Sequence, residues 1–506
     1  MLSGILAMAI MGQTLMAQTP MGQTLMGQSL MAQTPAPTPS QPPSPQPSPS
    51  PTPAQTAPSQ TSPPNPQPQE IVLHQEVRSL PGSLDRVPVF NSNSPELVKE
   101  EGILLSTFPP DGKADRSAHL NFPFNGRFDI FAHHVYRADN PEDLRSLYLG
   151  ILVYNPGDRP VTVNVLQGGS YLSQPDAPFI TLPPEVDNPQ GNVFAGPGSR
   201  VTSDVLRGER EDILPATIEI PPRSYQLLLN LPIPVATLTP PLNGRSTLMR
   251  LRSNGTVYLA SLALMAEQNP DGSERAPTLT EWTNLLETGK LSSVRDRTPT
   301  PPDQTSGQII YGRVAGVAEG SRWQAQLTDS PTALDLTIPA PGAAFSYGLS
   351  TLRGGRLGTE QSQSARMLVR YPDTAYEAHG NYGTEYDLTL PLRNASDQPQ
   401  TVTIALETPI KEDTLSRNGL RFFDPLPTQT FFRGTVRVRY VDDRGLPQTR
   451  YVHLVQRRGQ QGNPLVTLNL PAGGRRLVEF SFLYPPDATP PQVLTVRTVG
   501  GVGSRE

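Results

Sequence analysis

From Glu70 to the C-terminus the hydrophobic positions fall in short runs, alternating or continuous, cut by Pro, Gly, Asn and Asp. Leu147 to Val153 (LYLGILV), Val161 to Val165 (VTVNV), Tyr225 to Leu231 (YQLLLNL) and Thr256 to Leu264 (TVYLASLAL) are typical of the first half. Tyr386 to Leu392, Val402 to Leu406, Thr435 to Val441, Tyr451 to Val455 and Leu477 to Phe482 repeat the style in the second. Runs of this length, with a period of two and frequent turn residues, predict an all-β chain rather than a parallel α/β sheet. One segment breaks the pattern. Thr278-Leu-Thr-Glu281 has the form of a capping box, Leu279, Trp282, Leu285 and Leu286 recur at helical spacing, and Gly289 supplies a stop. The spacing predicts one short helix, its Trp stripe packed against a sheet edge.

The strands also recur as a set. Asn155-Pro-Gly-Asp-Arg-Pro-Val-Thr-Val163 matches Asn394-Ala-Ser-Asp-Gln-Pro-Gln-Thr-Val402, and in each an apolar strand enters an Asn turn carrying Asp and Pro. Asn and Asp there bond local backbone, and Pro fixes φ before pairing resumes. Ile220-Pro-Pro-Arg-Ser-Tyr pairs with Leu470-Pro-Ala-Gly-Gly-Arg, and Ala132-His133 with Ala378-His379, in the same order. The chain therefore reads as two related β-sandwich domains, 70–291 with the helix at its end and 308–506, joined by a Pro/Thr/Asp-rich linker at 292–307.

Composition changes the picture at the N-terminus. No charged side chain precedes Glu70, although the chain of 506 residues carries 41 basic and 46 acidic ones. Residues 1–35 open with an apolar run, Met1 to Met11, too short to span a bilayer and suited to the core of an export signal. Five pentapeptides follow (MGQTL, MAQTP, MGQTL, MGQSL, MAQTP), consistent with a duplicated cleavage region that ends near Ala17 or Ala32. Residues 36–69 continue as a Pro-rich tract, with 15 Pro between positions 35 and 68. Such a stretch buries too little to offset its ordering entropy and is expected to be a disordered, extended spacer. The expected location is outside the inner membrane: periplasm, outer envelope or medium, with no transmembrane helix after signal cleavage.

Charge and motifs narrow the chemistry. A formal net charge of −5 argues against a nucleic-acid partner, and the absence of Cys removes disulfides, thiolate metal sites and a cysteine nucleophile. HExxH, GxSxG, a phosphate loop and a dinucleotide GxGxxG are all missing. The candidates that remain are weak ones. His119 with His133 or His134 is the nearest approach to a metal pair, and only one of the adjacent histidines can share a strand face with it. Glu209 to Asp212, Lys411 to Asp413 and Asp442-Asp443 cluster carboxylates, and Asp271-Gly-Ser-Glu274 offers calcium-type oxygens. Arg outnumbers Lys by 37 to 4, which makes acidic polysaccharide a conceivable ligand. Alternation places Arg433, Arg437 and Arg439 on one strand face, and with Arg457-Arg458 they form the local basic spots. Tyr376, Tyr382 and Tyr386 are the aromatics to stack on sugar rings. None of these sets assembles a site, so no catalytic, cofactor or metal residue is assigned and the reading leans to a non-enzymatic protein.

The strand–Asn–turn–Pro landmarks resemble those of bacterial immunoglobulin-like modules. With Val87-Pro-Val-Phe-Asn-Ser-Asn-Ser-Pro95, Phe128-Asp-Ile-Phe-Ala-His-His134 and Tyr451-Val-His-Leu-Val-Gln-Arg-Arg-Gly459, the chain resembles a family of secreted cyanobacterial proteins catalogued only as a domain of unknown function. That resemblance implies a bacterial envelope as the setting and no particular activity. The expected function is a structural or adhesive envelope protein. The alternative is a protein that binds or cleaves polysaccharide with a sandwich face or an inter-domain cleft. Its expected partner is envelope polysaccharide or another envelope protein.

Overall fold

The structure, a computed structural model, describes residues 67–304 and 306–500. The expected export signal, the pentapeptide repeat and nearly all of the Pro-rich tract lie outside the described residues. The rest is mostly β-strand, arranged in several sheets, with two short α-helices.

The alternating runs become strands that bury one face, and the internal repeat is visible in how they pair. In the first unit Leu147–Tyr154 lies antiparallel to Tyr225–Ile233, while Val161–Leu172 pairs with Thr217–Ile220. In the second, Glu385–Arg393 pairs with Arg475–Leu483, and Gln400–Glu407 with Val466–Leu470. The matched asparagines close both arrangements. Asn155 Nδ2 donates to the carbonyls of Arg159, Ile220 and Pro221 at 2.6, 3.0 and 3.1 Å, and Oδ1 accepts from Gly157 N at 2.9 Å. Asn394 Nδ2 donates to Gln398, Leu470 and Pro471 carbonyls at 2.8, 3.1 and 3.0 Å, and Oδ1 accepts from Ser396 N at 3.0 Å. Both side chains are buried. Truncating either to Ala strands carbonyls away from water, and each substitution is expected to cost about 2–3 kcal/mol of unfolding free energy in urea titration. A cost below about 1 kcal/mol would show that solvent reaches those carbonyls.

A single strand of 24 residues, Leu242–Met265, serves both layers of the first unit. Its first half pairs with Phe124–Arg137 and Val161–Leu172, and its second half with Leu147–Tyr154 and Gly102–Ser106. The register breaks between Ser253 and Val257, where the strand passes from one layer to the other. Between the layers lies a core that includes Phe90, Phe128, Ile151, Val163 and Leu251. In the second unit a seven-stranded and a five-stranded sheet enclose a core that includes Tyr386, Leu388, Val402, Phe480 and Val496.

The two units exchange strands across the 292–307 segment. Gln69–Leu73 pairs with Leu420–Asp424, and Glu76–Arg78 runs parallel to Ala344–Leu349. In the other direction, Ala315–Glu319 inserts between Pro88–Ser92 and Ala365–Arg370 and so extends the sheet of the first unit. Glu185–Asp187 pairs with Pro447–Arg457. The linking segment is itself anchored, with Ser292 N bonded to the Ile103 carbonyl at 3.0 Å.

The predicted helix forms over Leu279–Thr288, with the Thr278/Glu281 capping box and Gly289 at its end. It packs on a sheet face rather than an edge. Trp282 is buried and lies flat on Gly150, where a Cβ would come within 2.7 Å of the indole, so that strand position requires glycine. The second helix, Pro197–Arg207, was not expected. Its Val201, Val205 and Leu206 meet Leu248 of the first unit and Leu483 of the second, which wedges it between them. No helix among the described residues is long and apolar enough to cross a membrane.

Candidate functional site

The residues singled out by sequence are dispersed. His119 Nδ1 lies 2.8 Å from Ser106 Oγ, and His133 Nδ1 lies 2.8 Å from Ser246 Oγ. His134 is enclosed, with Nδ1 donating to the Pro95 carbonyl at 2.8 Å and Nε2 2.9 Å from Ser92 Oγ. The adjacent histidines face opposite sides of their strand, as alternation requires, and the three rings serve three different serines. No group of three or more His, Asp or Glu side chains that could hold a metal occurs among the described residues.

The acidic clusters mostly brace backbone. Glu211 accepts from Ser170 N at 2.7 Å, and Asp413 accepts from Gly354 N at 2.9 Å. Asp442 closes its own turn through Arg444 N and Leu446 N, both at 2.9 Å, and Asp271 does the same through Ser273 N at 3.0 Å. The basic stripe alternates as expected, with Val436 and Val438 buried on the other side. The Pro197–Arg207 helix lies over part of the basic face, at Arg437, while Arg439 stays exposed. Arg437 reaches the Leu206 carbonyl at 3.4 Å, Arg433 lies 5.7 Å from the Phe179 ring centre, and Arg439 pairs with Glu479 at 2.7 Å. Of the tyrosines, Tyr386 is sealed in the core, its hydroxyl bonded to Gln363 and Asn381. Tyr376 stacks on Arg370 at 3.9 Å.

Sequence reasoning missed the place where the two units meet. There a small cleft of about 60 Å³ is walled by Asn91 and Asn93 on one side and by Tyr311, His379, Tyr382 and Lys411 on the other. Tyr311 and His379 also wall an adjoining space of about 200 Å³, which opens on Arg353, Arg356, Tyr376 and Glu377. Asn91 and Asn93 stand two residues apart on an extended stretch and so share a face. Both are buried, 5% and 4% exposed, and the Oδ1 of each lacks a hydrogen-bond partner. Lys411 Nζ donates to Tyr311 Oη at 2.8 Å and lies 4.3 Å from the centre of that ring. The Tyr311 hydroxyl in turn donates to the Arg353 carbonyl at 2.5 Å. The Tyr311 and His379 rings are tilted by 59° with centres 4.9 Å apart.

Burial dominates the electrostatics of this group. It pulls the Lys411 ammonium down to about 7, against a smaller opposing pull from Asp413. It lowers His379 to about 4, helped by the nearby charges of Lys411 and Arg353, and it raises the Tyr311 phenol. The cleft thus brings an ammonium without a carboxylate partner among the described residues together with aromatic rings, and two buried amide oxygens lie in its wall. Two signals in the sequence point to it. Asn at alternate positions of a strand is unusual, and Lys411 is one of only four lysines.

A search of curated proteins finds no match. Among solved structures the chain is similar to the crystal structure of Lac15 from a marine microbial metagenome. The identity is 10%, the TM-score 0.10, and the match covers 75% of this chain. The chain spans about half the length of that protein, 54%, and a likeness at this level carries no argument about fold or activity. The family comparison is of a different order: residues 75–498, most of the chain, match the family described as protein of unknown function (DUF3370), and the protein belongs to that family.

Proposed function

We propose that the protein is a non-enzymatic, exported cell-envelope or surface protein with a structural or adhesive role, its two units being immunoglobulin-like β-sandwiches carried on the Pro-rich segment. The observation that carries this reading is the way the units are locked together. Domains joined by a plain linker move relative to one another by default. Here strands are exchanged in both directions, and a line of ion pairs crosses the junction. Arg250 lies 2.8 Å from Glu385 and 3.9 Å from Asp129, while Arg322 is 3.8 Å from Glu385 and pairs with Asp387. A body built this way holds its surfaces at a fixed spacing, which is what a structural or adhesive element requires. The uncharged first 69 residues, with an apolar start and a Pro-rich continuation, support export. Fractionation with intact-mass measurement tests it: a mature chain beginning near Gln18 or Gln33, outside the inner membrane, is expected. A full-length chain in the cytoplasm would overturn the proposal.

The cleft favours a second reading, in which the protein adheres to polysaccharide. Aromatic rings beside polar side chains, here Tyr311 and Tyr382 beside Lys411, suit the apolar faces and the hydroxyls of sugar rings. On a glycan array this reading expects a dose-dependent sugar signal, and a purely structural protein gives none.

A further inference from the structure

We infer that the space adjoining the inter-unit cleft is a binding site for a free amino acid, its carboxylate toward Arg353 and Arg356, its ammonium on Glu377 and an apolar side chain against Ile309, Ile310 and Tyr376. This goes beyond the structural and polysaccharide readings, which rest on other parts of the molecule.

The first ground is the shape and lining of the space. It measures about 200 Å³, with Ile309 and Ile310 of the chain that follows the linking segment on one side and Tyr376 and Glu377 on the other. That lies below the usual range for drug-sized ligands, about 300–1,000 Å³, and suits a molecule as small as one amino acid. Both isoleucines and Tyr376 are half-buried and supply an apolar wall. Arg370, 3.9 Å from the centre of the Tyr376 ring, holds that ring in place.

The second ground is the disposition of charge. Glu377, Arg353 and Arg356 all border the space, yet no ion pair joins Glu377 to either arginine among the described residues. They are near enough to interact: burial pushes the Glu377 carboxyl up, and the two guanidinium groups pull it down by less. Arg353 is fixed by the carbonyls of Pro301 and Pro302, each at 3.3 Å, with the Gln304 carbonyl as a third acceptor. Arg356 lies 3.6 Å from Asp413, which also accepts from Gly354 N. The ion-pair contact of Glu377 among the described residues is His379, 3.7 Å away. Burial lowers that ring to about 4, so it is neutral at pH 7 and leaves the carboxylate charge uncancelled. Lys411 lines the neighbouring cleft, where it donates to Tyr311. Two guanidinium groups thus face two carboxylates, and the charges balance. A lone anion or a lone cation gains from one side what it loses on the other. A zwitterion matches both sides at once, and in a partly enclosed space each attraction is stronger than in water.

The test titrates the full chain calorimetrically at pH 7 with L-leucine, N-acetyl-L-leucine and L-leucinamide. The acetyl derivative lacks the ammonium, and the amide lacks the carboxylate. Each removes one charge-assisted contact, so each is expected to bind at least about tenfold more weakly than leucine. In Glu377→Gln leucine should lose its advantage over the acetyl derivative, and in Arg356→Gln its advantage over the amide should shrink. No binding of leucine, or leucine no tighter than either derivative, overturns the inference. Discrimination that is undiminished in either variant overturns it as well. The three-ligand comparison is made on the unmodified protein, so it decides the matter whether or not a variant folds. The glycan array reports on the polysaccharide reading separately, and failure with leucine leaves that reading as it stands.

Discussion

Replacing Arg313 by Met lowers the free energy of unfolding by about 3–5 kcal/mol, the range expected when one partner is removed from a buried charge group. Arg313 follows the linking segment, Glu96 belongs to the first unit and Asp296 to the linking segment itself, so one guanidinium ties three stretches of chain. Its Nη2 donates to Glu96, and its Nε lies 3.7 Å from Asp296. The three side chains are 5%, 7% and 14% exposed. Methionine fills most of the volume and leaves two carboxylates short of a counter-charge, with His133 Nε2, 3.5 Å from Glu96, as a remaining contact. Burial already raises the Asp296 carboxyl above its usual range despite the arginine. An exposed pair provides the control. Arg116 and Asp111 are 65% and 83% exposed, and Arg116→Met should change stability by less than about 1 kcal/mol. Urea titration at pH 7 measures both, and a loss below about 1 kcal/mol for Arg313→Met would mean that water reaches the triad.

Acidification from pH 6 to pH 5 removes about 4 kcal/mol of stability. Four histidines are held neutral by burial, His134 at about 3 and His119, His379 and His453 at about 4. In the unfolded chain each titrates near 6.5. The folded values are depressed, so the unfolded state binds more protons in this window. The stabilisation is fully present above about 6.5 and is lost as pH falls toward the folded values. Asp204, raised by burial to about 6, works in the opposite sense and offsets roughly one of the four. At about 1.4 kcal/mol per proton per pH unit, the balance gives the stated loss. Urea titrations at pH 7, 6 and 5 check it, and equal stability at all three would show that these rings take up protons without unfolding.

Much of the secondary structure was legible because it is written locally. The Thr278/Glu281 cap, the Asn155 and Asn394 turns and the alternation in Thr430–Val441 each depend on neighbours a few residues away. The Pro197–Arg207 helix was not, and the reason is physical. It carries Pro at its first turn and ends at Gly208 in the left-handed region, φ 83°, both good signals. Its polar Ser199, Thr202, Ser203 and Asp204 are nevertheless buried along with its valines. The apolar stripe is present but short, only Val201, Val205 and Leu206, and among Ser, Thr, Asp and Arg it reads as a polar loop. The cleft was illegible for another reason. Asn91, Tyr311, His379 and Lys411 are brought together only by strand exchange, and no local pattern names a strand's partner. Packing of the helix over Arg437 follows from the same assembly.

That exchange also sets the order in which the molecule can be made. Gln69 pairs with Asp424 and Glu76 with Phe345, so the earliest strands of the folded part find their partners only when most of the chain has emerged. Contacts of such long sequence separation slow folding. If the chain is exported N-terminus first, as proposed, it arrives with unpaired strand edges that must be shielded until its C-terminal half follows. The Pro-rich tract, uncharged and unable to offer a continuous ladder of N–H groups, is then a safe leading segment for a fold that closes last to first.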